Sequence, residues 1–420
     1  MHGRKQHANG HLKWWLLPSL VMVAVAGCKQ PDAQNSNTSG DNTVGNNATS
    51  STATTGEESA AGKAKPYTGD DILIGEYGDL TGKTAQFGES TRDGVALAVE
   101  EVNAAGGVLG KKVRIQLEDN GGIPQQTSSV VRKLVYQNNV LAVLGEVASG
   151  RSIAGAKVCQ PAGMPMISPT STNPQVTQIG NYIFRTCFID PFQGVACARF
   201  AKDKLEVKTA AVLIDTKNPY SIGLAQYFIE EFEKGGGQIV AQQNYKEGDE
   251  NFRSQLAAIK TKNPQVLFIP GYYTDVGVIA KQARDLGITQ PLLGGDGWES
   301  SQLTQIAGSA VQGCYFSTHA APDSGEPRMT KFRAAFKKKY NAEPDALNAV
   351  AYDAANLLFA SIKKAGATDR DKIRSAIAAT QNFPGVTGNI TIDKDRNAIK
   401  PLVMLQVQGD KFKYVTTIKP

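Results

Sequence analysis

From Asp71 onward the chain alternates short β-branched runs with amphipathic helical segments, a rhythm that restricts it to parallel sheets covered by helices on both faces. The segment DILIGEY, 71–77, reads as a strand. After a glycine-containing loop, Val95, Val99 and Val102 recur at helical spacing before Ala104-Ala105-Gly106-Gly107 stops the helix. A strand over 113–117, a helix opened by Pro124, a strand over 140–144, a helix from about Ser149, and strands over 166–167 and 182–185 continue the series. Asp190-Pro191 then reads as an N-cap followed by proline at the first helical position. The series restarts behind it, with strands at 210–214, 238–241, 266–269, 292–293 and 315–318 and helices over 220–234, 252–260 and 274–286.

A folded portion of about 350 residues is long for one core, so two lobes are expected. The fold class is α/β, with two doubly wound, Rossmann-like lobes. A helical stretch from Lys331 to Ala379 and late strands over 389–392, 401–407 and 412–417 complete the chain. If the chain returns to the first lobe near Thr318 and leaves it again near Gly388, several strands join the lobes and make a hinge. The expected division is 70–187 with 318–388 for the first lobe, and 188–317 with 389–420 for the second.

Ahead of the lobes, residues 1–27 read as a secretory signal: Arg4, Lys5 and Lys13 precede an apolar run from Trp14 to Ala26. The run falls short of the roughly 20 apolar residues that span a bilayer, and Pro18 interrupts it. Val25-Ala26-Gly27-Cys28 has the small-residue pattern at which a lipoprotein is cut, which would leave Cys28 lipidated at the mature N-terminus. Residues 28–69 then form a polar tract with no aromatic residue before Tyr67, a composition expected of a flexible tether. The expected location is outside the cytoplasm, lipid-anchored and facing the periplasm or the cell exterior.

Charge names no polymeric partner. Losing residues 1–27 lowers the formal net charge from +6 to +3, and no basic run suggests nucleic acid. Cys159, Cys187, Cys197 and Cys314 remain beside Cys28, permitting disulfides or buried free thiols without selecting between them.

Ligands of open parallel sheets sit beyond the C-terminal strand ends, where loops lead into helix N-termini. The segments there are 79–88 (DLTGKTAQFG), 145–152 (GEVASGRS), 168–173 (SPTSTN), 215–221 (DTKNPYS), 270–273 (PGYY) and 294–298 (GGDGW). Ser149, at a strand-to-helix junction, offers a hydroxyl and nearby N–H groups to a carboxylate, or simply caps its helix. Thr170, Ser171 and Thr172 form a second hydroxyl cluster, or an ordinary polar turn. Asp296, between glycines, suits an ammonium group, or is a turn aspartate. Tyr220, Tyr272 and Trp298 offer ring faces to an ammonium or an apolar side chain, or serve packing. Together they describe a site for a zwitterion.

The segments GDLTG, AQFGES, NAAGGVLGKKV, PMISPTSTNP, FRTCFIDPFQG, YSIGLAQ, ENFRSQL and LLGGDGW resemble, in order, the leucine/isoleucine/valine-binding family of ABC importers. The resemblance covers essentially everything after residue 70. It implies a type I periplasmic binding protein, whose two lobes are joined by three crossings and close over an amino acid. It further implies that Ser149, Thr170 and Thr172 hold the α-carboxylate and part of the ammonium, that Asp296 is the ammonium's counter-charge, and that Phe87, Tyr220 and Tyr272 wall the pocket. Its implied partners are an amino acid, aliphatic or branched-chain, and the membrane subunits of an ABC permease, with the binder itself a monomer. A glutamate often stands in the family where Asp296 stands here, and the shorter acid shifts the ammonium or the closing lobe by about one carbon–carbon bond, ~1.5 Å. Arg151 is either a solvated helix-start arginine or a partner for a second acidic group on the ligand.

Enzyme chemistry finds little support. A phosphate loop would need glycine where Tyr77 stands, five residues before Gly82. His2, His7 and His11 fall in the signal, so a catalytic triad would have to use His319, and no G-x-S-x-G elbow accompanies it. No C-x-x-C, H-E-x-x-H or calcium-loop pattern is present, and no cofactor or metal is expected. The alternative to a transport binder is a sensory module that reports ligand occupancy to a membrane receptor.

Overall fold

The computed structural model describes residues 62–420, so the signal and Cys28 lie outside the described residues. The first lobe is wound around β1 (Ile72–Gly78), β2 (Val113–Asp119), β3 (Ala142–Leu144), β4 (Met166–Ser168) and β5 (Ile183–Arg185), connected through α1 (Ala85–Ala104), α2 (Pro124–Arg132), α3 (Ser149–Cys159) and α4 (Gln175–Gln178). The strand order is β2-β1-β3-β4-β5 and every pair is parallel. Strand β1 shows why. Ile72 and Ile74 face one apolar cluster and Tyr77 the other, so both faces of the central strand are covered and only parallel neighbours with helical crossovers fit.

The second lobe repeats the winding. It begins at α5 (Asp190–Asp203) and continues through β6 (Thr209–Asp215), α6 (Pro219–Lys234), β7 (Gln238–Tyr245), α7 (Arg253–Thr261), β8 (Val266–Phe268), α8 (Tyr273–Asp285), β9 (Leu292–Gly294), α9 (Ser301–Ala307) and β10 (Tyr315–Thr318). The chain then returns to the first lobe as α10 (Pro327–Tyr340), α11 (Ala346–Ala365), α12 (Arg370–Ala378), β11 (Phe383–Gly385), β12 (Gly388–Ile392) and β13 (Ala398–Ile399). It ends as the hairpin β14 (Leu402–Gln408) and β15 (Lys411–Ile418), which adds antiparallel strands to a seven-stranded sheet ordered β15-β14-β10-β9-β8-β6-β7.

The chain passes between lobes three times, after β5, after β10 and after β13. The third passage differs from the expected boundary at Gly388. Strands β11, β12 and β13 form a small sheet of their own, and Ile390, Ile392 and Ala398 join the first lobe's core beside Ile373 and Ile377 of α12. Alternation marks β12 as a strand but carries no label for the core that its inward residues enter. Residues 389–399 therefore pack with the first lobe, and the crossing falls at Lys400-Pro401.

In each lobe the strand order reverses at one point, between β1 and β3 and again between β6 and β8. Crossover helices leave opposite faces there, which opens a crevice beyond the strand C-termini. The opposite end of the first lobe holds the incoming chain. The Ala64 N–H donates to the Ala162 carbonyl at 3.0 Å, Asn139 Nδ2 to the Pro66 carbonyl at 3.2 Å, Lys111 Nζ to the Gly69 carbonyl at 2.8 Å, and Arg370 Nη1 to the Lys65 carbonyl at 2.5 Å. All four ties are to the first lobe.

The helices α1 and α11 pack closely because Gly94 has no side chain: a Cβ there would lie 2.2 Å from the Asn348 carbonyl oxygen. Gly94→Ala is expected to lower stability by about 1–3 kcal/mol through overpacking. The measurement is a urea midpoint on the ligand-free protein, with Gly325→Ala, which meets nothing within 4 Å, as the unaffected control.

Candidate functional site

The loops at the two switch points face each other, and the lobes are in contact across them. Phe87 at the start of α1, with Val147 and Ala148 after β3, shares a buried apolar cluster with the second lobe. The Phe87 ring meets Tyr272 edge-on, with centroids 5.5 Å apart at 89°, and Tyr273 at 5.0 Å and 75°. Asn173 Nδ2 donates to the Pro219 carbonyl at 2.8 Å, and the Tyr273 hydroxyl to the Lys83 carbonyl at 3.3 Å.

On the first lobe, the residue before α3 is Ala148, and no side chain caps that helix. Ser149 is instead its first residue, buried, with its Oγ accepting the Asn173 N–H at 3.2 Å. The loop after β4 curls around the buried Arg185 guanidinium, which donates to the carbonyls of Ser171 and Asn173. Within that loop the three hydroxyls diverge. Thr170 Oγ1 is buried with no partner among the described residues. Thr172 lies against Asp190, whose N–H donates to the Thr172 carbonyl at 3.0 Å. Ser171 turns inward, its Oγ meeting the carbonyls of Glu146 at 2.9 Å and Val147 at 2.8 Å and the Ser152 hydroxyl at 2.7 Å. The sequence grouped all three, but consecutive residues point to different sides, and Ser171 serves the loop's own frame.

On the second lobe, Asp296 opens a short 3-10 turn, Asp296–Trp298. Its flanking glycines are required by close approach: a Cβ on Gly295 would fall 2.4 Å from the Tyr220 hydroxyl, and one on Gly297 2.6 Å from the Gly271 carbonyl oxygen. Gln193 Nε2 donates to Asp296 Oδ1 at 2.7 Å, and His319 Nε2 lies 3.1 Å from Oδ2. Tyr220 accepts the Gly297 N–H at 3.1 Å and stacks on Tyr272, with centroids 5.5 Å apart at 10°. The Tyr272 hydroxyl donates to Asn218 Oδ1 at 3.4 Å. Trp298 stands apart from this group. Its indole lies against Gly294, its Nε1–H donates to the Ile269 carbonyl at 2.9 Å, and it stacks on Phe316. It is a core residue of the second lobe rather than a wall of the cleft, because a fully buried indole settles where its N–H finds a carbonyl.

Arg151 is neither solvated nor free. Its guanidinium is buried, lying 3.3 Å from Asp79 Oδ2 and 3.5 Å from Glu146 Oε1 and donating to Thr84 Oγ1 at 2.7 Å. Two carboxylates on one cation leave it no charge to offer a ligand. The four cysteines are buried free thiols.

Three residues of the site escaped the sequence. Asp190, read as a cap, lies inside the first turn of α5 behind Ile189 and makes no capping bond. Burial pushes its carboxyl well above the carboxylate range; Thr172 opposes the rise and Asp296 adds to it. Gln193 lies one turn further along the same helix. His319 follows β10 directly at the second crossing. Adjacency of Asp190 and Gln193 at helical spacing was the available signal.

Two lobes on three crossings, with buried polar groups lining the surfaces that face each other, define a solute-binding protein that closes on its ligand. Residues 71–411 match the family described as Periplasmic binding protein, and the chain belongs to that family. It is therefore an extracytoplasmic binder, without catalytic activity. Among its relatives is the leucine-, isoleucine-, valine-, threonine- and alanine-binding protein of Pseudomonas aeruginosa, 31% identical over 327 residues, covering 77% of this chain and 86% of the relative. The crystal structure of the leucine-binding protein LivK of Thermotoga maritima is 38% identical with a TM-score of 0.81, covering 83% of this chain and 99% of that one. LivJ of Streptococcus pneumoniae, crystallised with isoleucine, is 33% identical with a TM-score of 0.79, covering 83% and 100%.

Near the second crossing, Glu299 Oε1 accepts the Ala346 N–H at the start of α11 at 3.2 Å, a bond from lobe to lobe. Burial pushes the Glu299 carboxyl up to about 8, and Asp345 adds to the rise. An acid raised in the native state binds more protons folded than unfolded, so its contribution is complete below the ordinary carboxylate range and is lost as pH rises through about 8. Glu299→Gln is expected to flatten the fall in melting temperature of the ligand-free protein between pH 5 and 8, measured by calorimetric scans.

Proposed function

We propose that this chain captures an amino acid with an aliphatic, branched side chain between its lobes and hands it to the membrane subunits of an ABC importer, while lipid on Cys28 keeps it at the membrane. The observation that carries the reading is the buried Asp296 carboxylate, set between Gln193 and His319 in the loop beside the stacked rings of Tyr220 and Tyr272. A carboxylate suits an ammonium group; the hydroxyls of Ser149, Thr170 and Thr172, with the N-terminus of α3, suit an α-carboxylate. Phe87, Tyr220 and Tyr272 supply the apolar wall. The names of the relatives, binders of leucine, isoleucine and valine, support the choice of side chain.

No bond is made or broken. Closure is favoured only by the ligand's preference for the shut form, and the shut form is the one a permease would recognise.

Titration calorimetry with leucine, isoleucine and valine tests the reading. Asp296→Ala is expected to weaken binding by about 100-fold or more, because it strips the counter-charge from a buried ammonium. Ser149→Ala removes one neutral hydrogen bond and is expected to cost about tenfold. Unchanged affinity in Asp296→Ala, or no heat with any of the three amino acids, refutes the site or the ligand class respectively.

Anchoring is tested separately by cell fractionation. Cys28→Ser is expected to move the protein from the membrane to the soluble extracytoplasmic fraction, and persistence at the membrane would contradict lipidation at Cys28.

A further inference from the structure

Asp296 meets two neutral-capable donors rather than a permanent cation. Gln193 Nε2 reaches both Asp296 Oδ1 at 2.7 Å and Ser317 Oγ at 3.0 Å, so its amide is fixed at two points. His319 Nε2 lies 3.1 Å from Asp296 Oδ2. The imidazole is 3% exposed, its ring lies 4.5 Å from that of Phe188 at a tilt of 31°, and its Nδ1 has no partner among the described residues. Those three contacts leave the ring one protonation change to make. As the neutral Nε2–H tautomer it donates to Asp296 and buries only an unpaired Nδ1 lone pair. As imidazolium it supplies a full positive charge to the same carboxylate, with Phe188 facing the cation and Nδ1–H buried without an acceptor.

We propose that His319 is a positioning residue of the ligand's ammonium site. Neutral, it holds the Asp296 carboxylate in place for the ammonium; protonated, it takes the ammonium's electrostatic place, so that capture of the amino acid and protonation of His319 exclude one another. The proposal rests on the assignment of Asp296 as the ammonium's counter-charge.

Other titratable groups surround this pair, and Glu299 changes charge at the upper end of the range. The titratable neighbours are Asp190 and Cys197 on α5, Cys187 in the first crossing, Tyr220 on α6, Tyr272 before α8 and Glu299 after the 3-10 turn, all of which feel the Asp296 charge. The cations facing Cys187 from behind are Arg185 on β5 and Lys400 in the third crossing. Burial raises the Asp190 carboxyl, pushes that of Glu299 up to about 8, and moves the thiols and phenols upward. One buried carboxylate then calls for one positive charge, from either the ring or the ligand. An imidazolium and an ammonium on the same carboxylate repel, so binding expels the proton from His319 and affinity falls as pH falls.

The experiment is calorimetric titration of the full chain with leucine from pH 5 to 8.5, in two buffers of different ionisation enthalpy. In the wild type, the dissociation constant is expected to rise about tenfold per pH unit once the ring is protonated, with close to one proton released per leucine bound. His319→Gln keeps an amide donor near the Nε2 position and cannot titrate. Whatever its affinity at pH 8, it should show neither the pH dependence nor the proton release. A wild-type affinity flat from pH 5 to 8, or an unchanged profile in His319→Gln, overturns the proposal. Absence of leucine, isoleucine or valine binding at pH 8 is instead a failure of the ligand reading. The pair is then read without ligand by NMR titration of the His319 ring, its signal assigned by its loss in His319→Gln. Asp296→Asn should change how that signal responds to pH, and an unchanged response overturns the coupling.

Discussion

A carboxylate buried at a junction of two lobes is costly unless something of opposite polarity reaches it, and much of this protein is arranged around that requirement at Asp296. The glycines on either side let the turn approach α6 and the loop before α8. Gln193 is brought to it by α5, and His319 by the second crossing. Tyr220 accepts the N–H of the neighbouring Gly297, which sets the turn's orientation. The groups that hold Asp296 come from the segments that join the lobes as well as from the second lobe itself, so the electrostatics of the site and the mechanics of the hinge involve the same residues.

The facing surface of the first lobe is built on a different principle. Its hydroxyl loop is organised by Arg185, whose guanidinium holds the carbonyls of Ser171 and Asn173, and by Ser171, whose hydroxyl is consumed in that frame. The charges nearest the cleft on this side, Asp79, Glu146 and Arg151, satisfy one another. What remains for a ligand is neutral: hydroxyls, backbone N–H groups and the edge of an aromatic cluster. One lobe thus presents an anion to the cleft, and the other presents neutral donors at a helix start.

The fold was largely legible because period and punctuation agree in this chain. Alternation in β1, the spacing of Val95, Val99 and Val102 in α1, and Pro124 at the start of α2 each name their element and its limits. What escaped was information that periodicity does not hold. Strand β12 reads as a strand, yet its Ile390 and Ile392 enter a core assembled from α11 and α12, which only three-dimensional packing reveals. The site shows the same division. Strand-end logic reaches the facing loops that carry Ser149, Thr170, Thr172, Tyr220, Tyr272 and Asp296, since topology dictates where loops converge. It also gathers Ser171 and Trp298, whose side chains turn into the protein, because neighbours in a loop share an address but not a direction. Asp190 and His319 were missed because each reads locally as something ordinary, a cap or a residue past the end of a strand.

The four hydrogen bonds that lace residues 64–69 to the far end of the first lobe set a path for mechanical load. Tension arriving along the chain at residue 62 enters β1, the turn after α3 and the start of α12, and none of the three crossings lies on that route. A pull on the N-terminus therefore tugs the first lobe as a block and leaves the angle between the lobes unloaded. Load applied at that point leaves the crossings free, so the second lobe is the one that would swing if the first were held there.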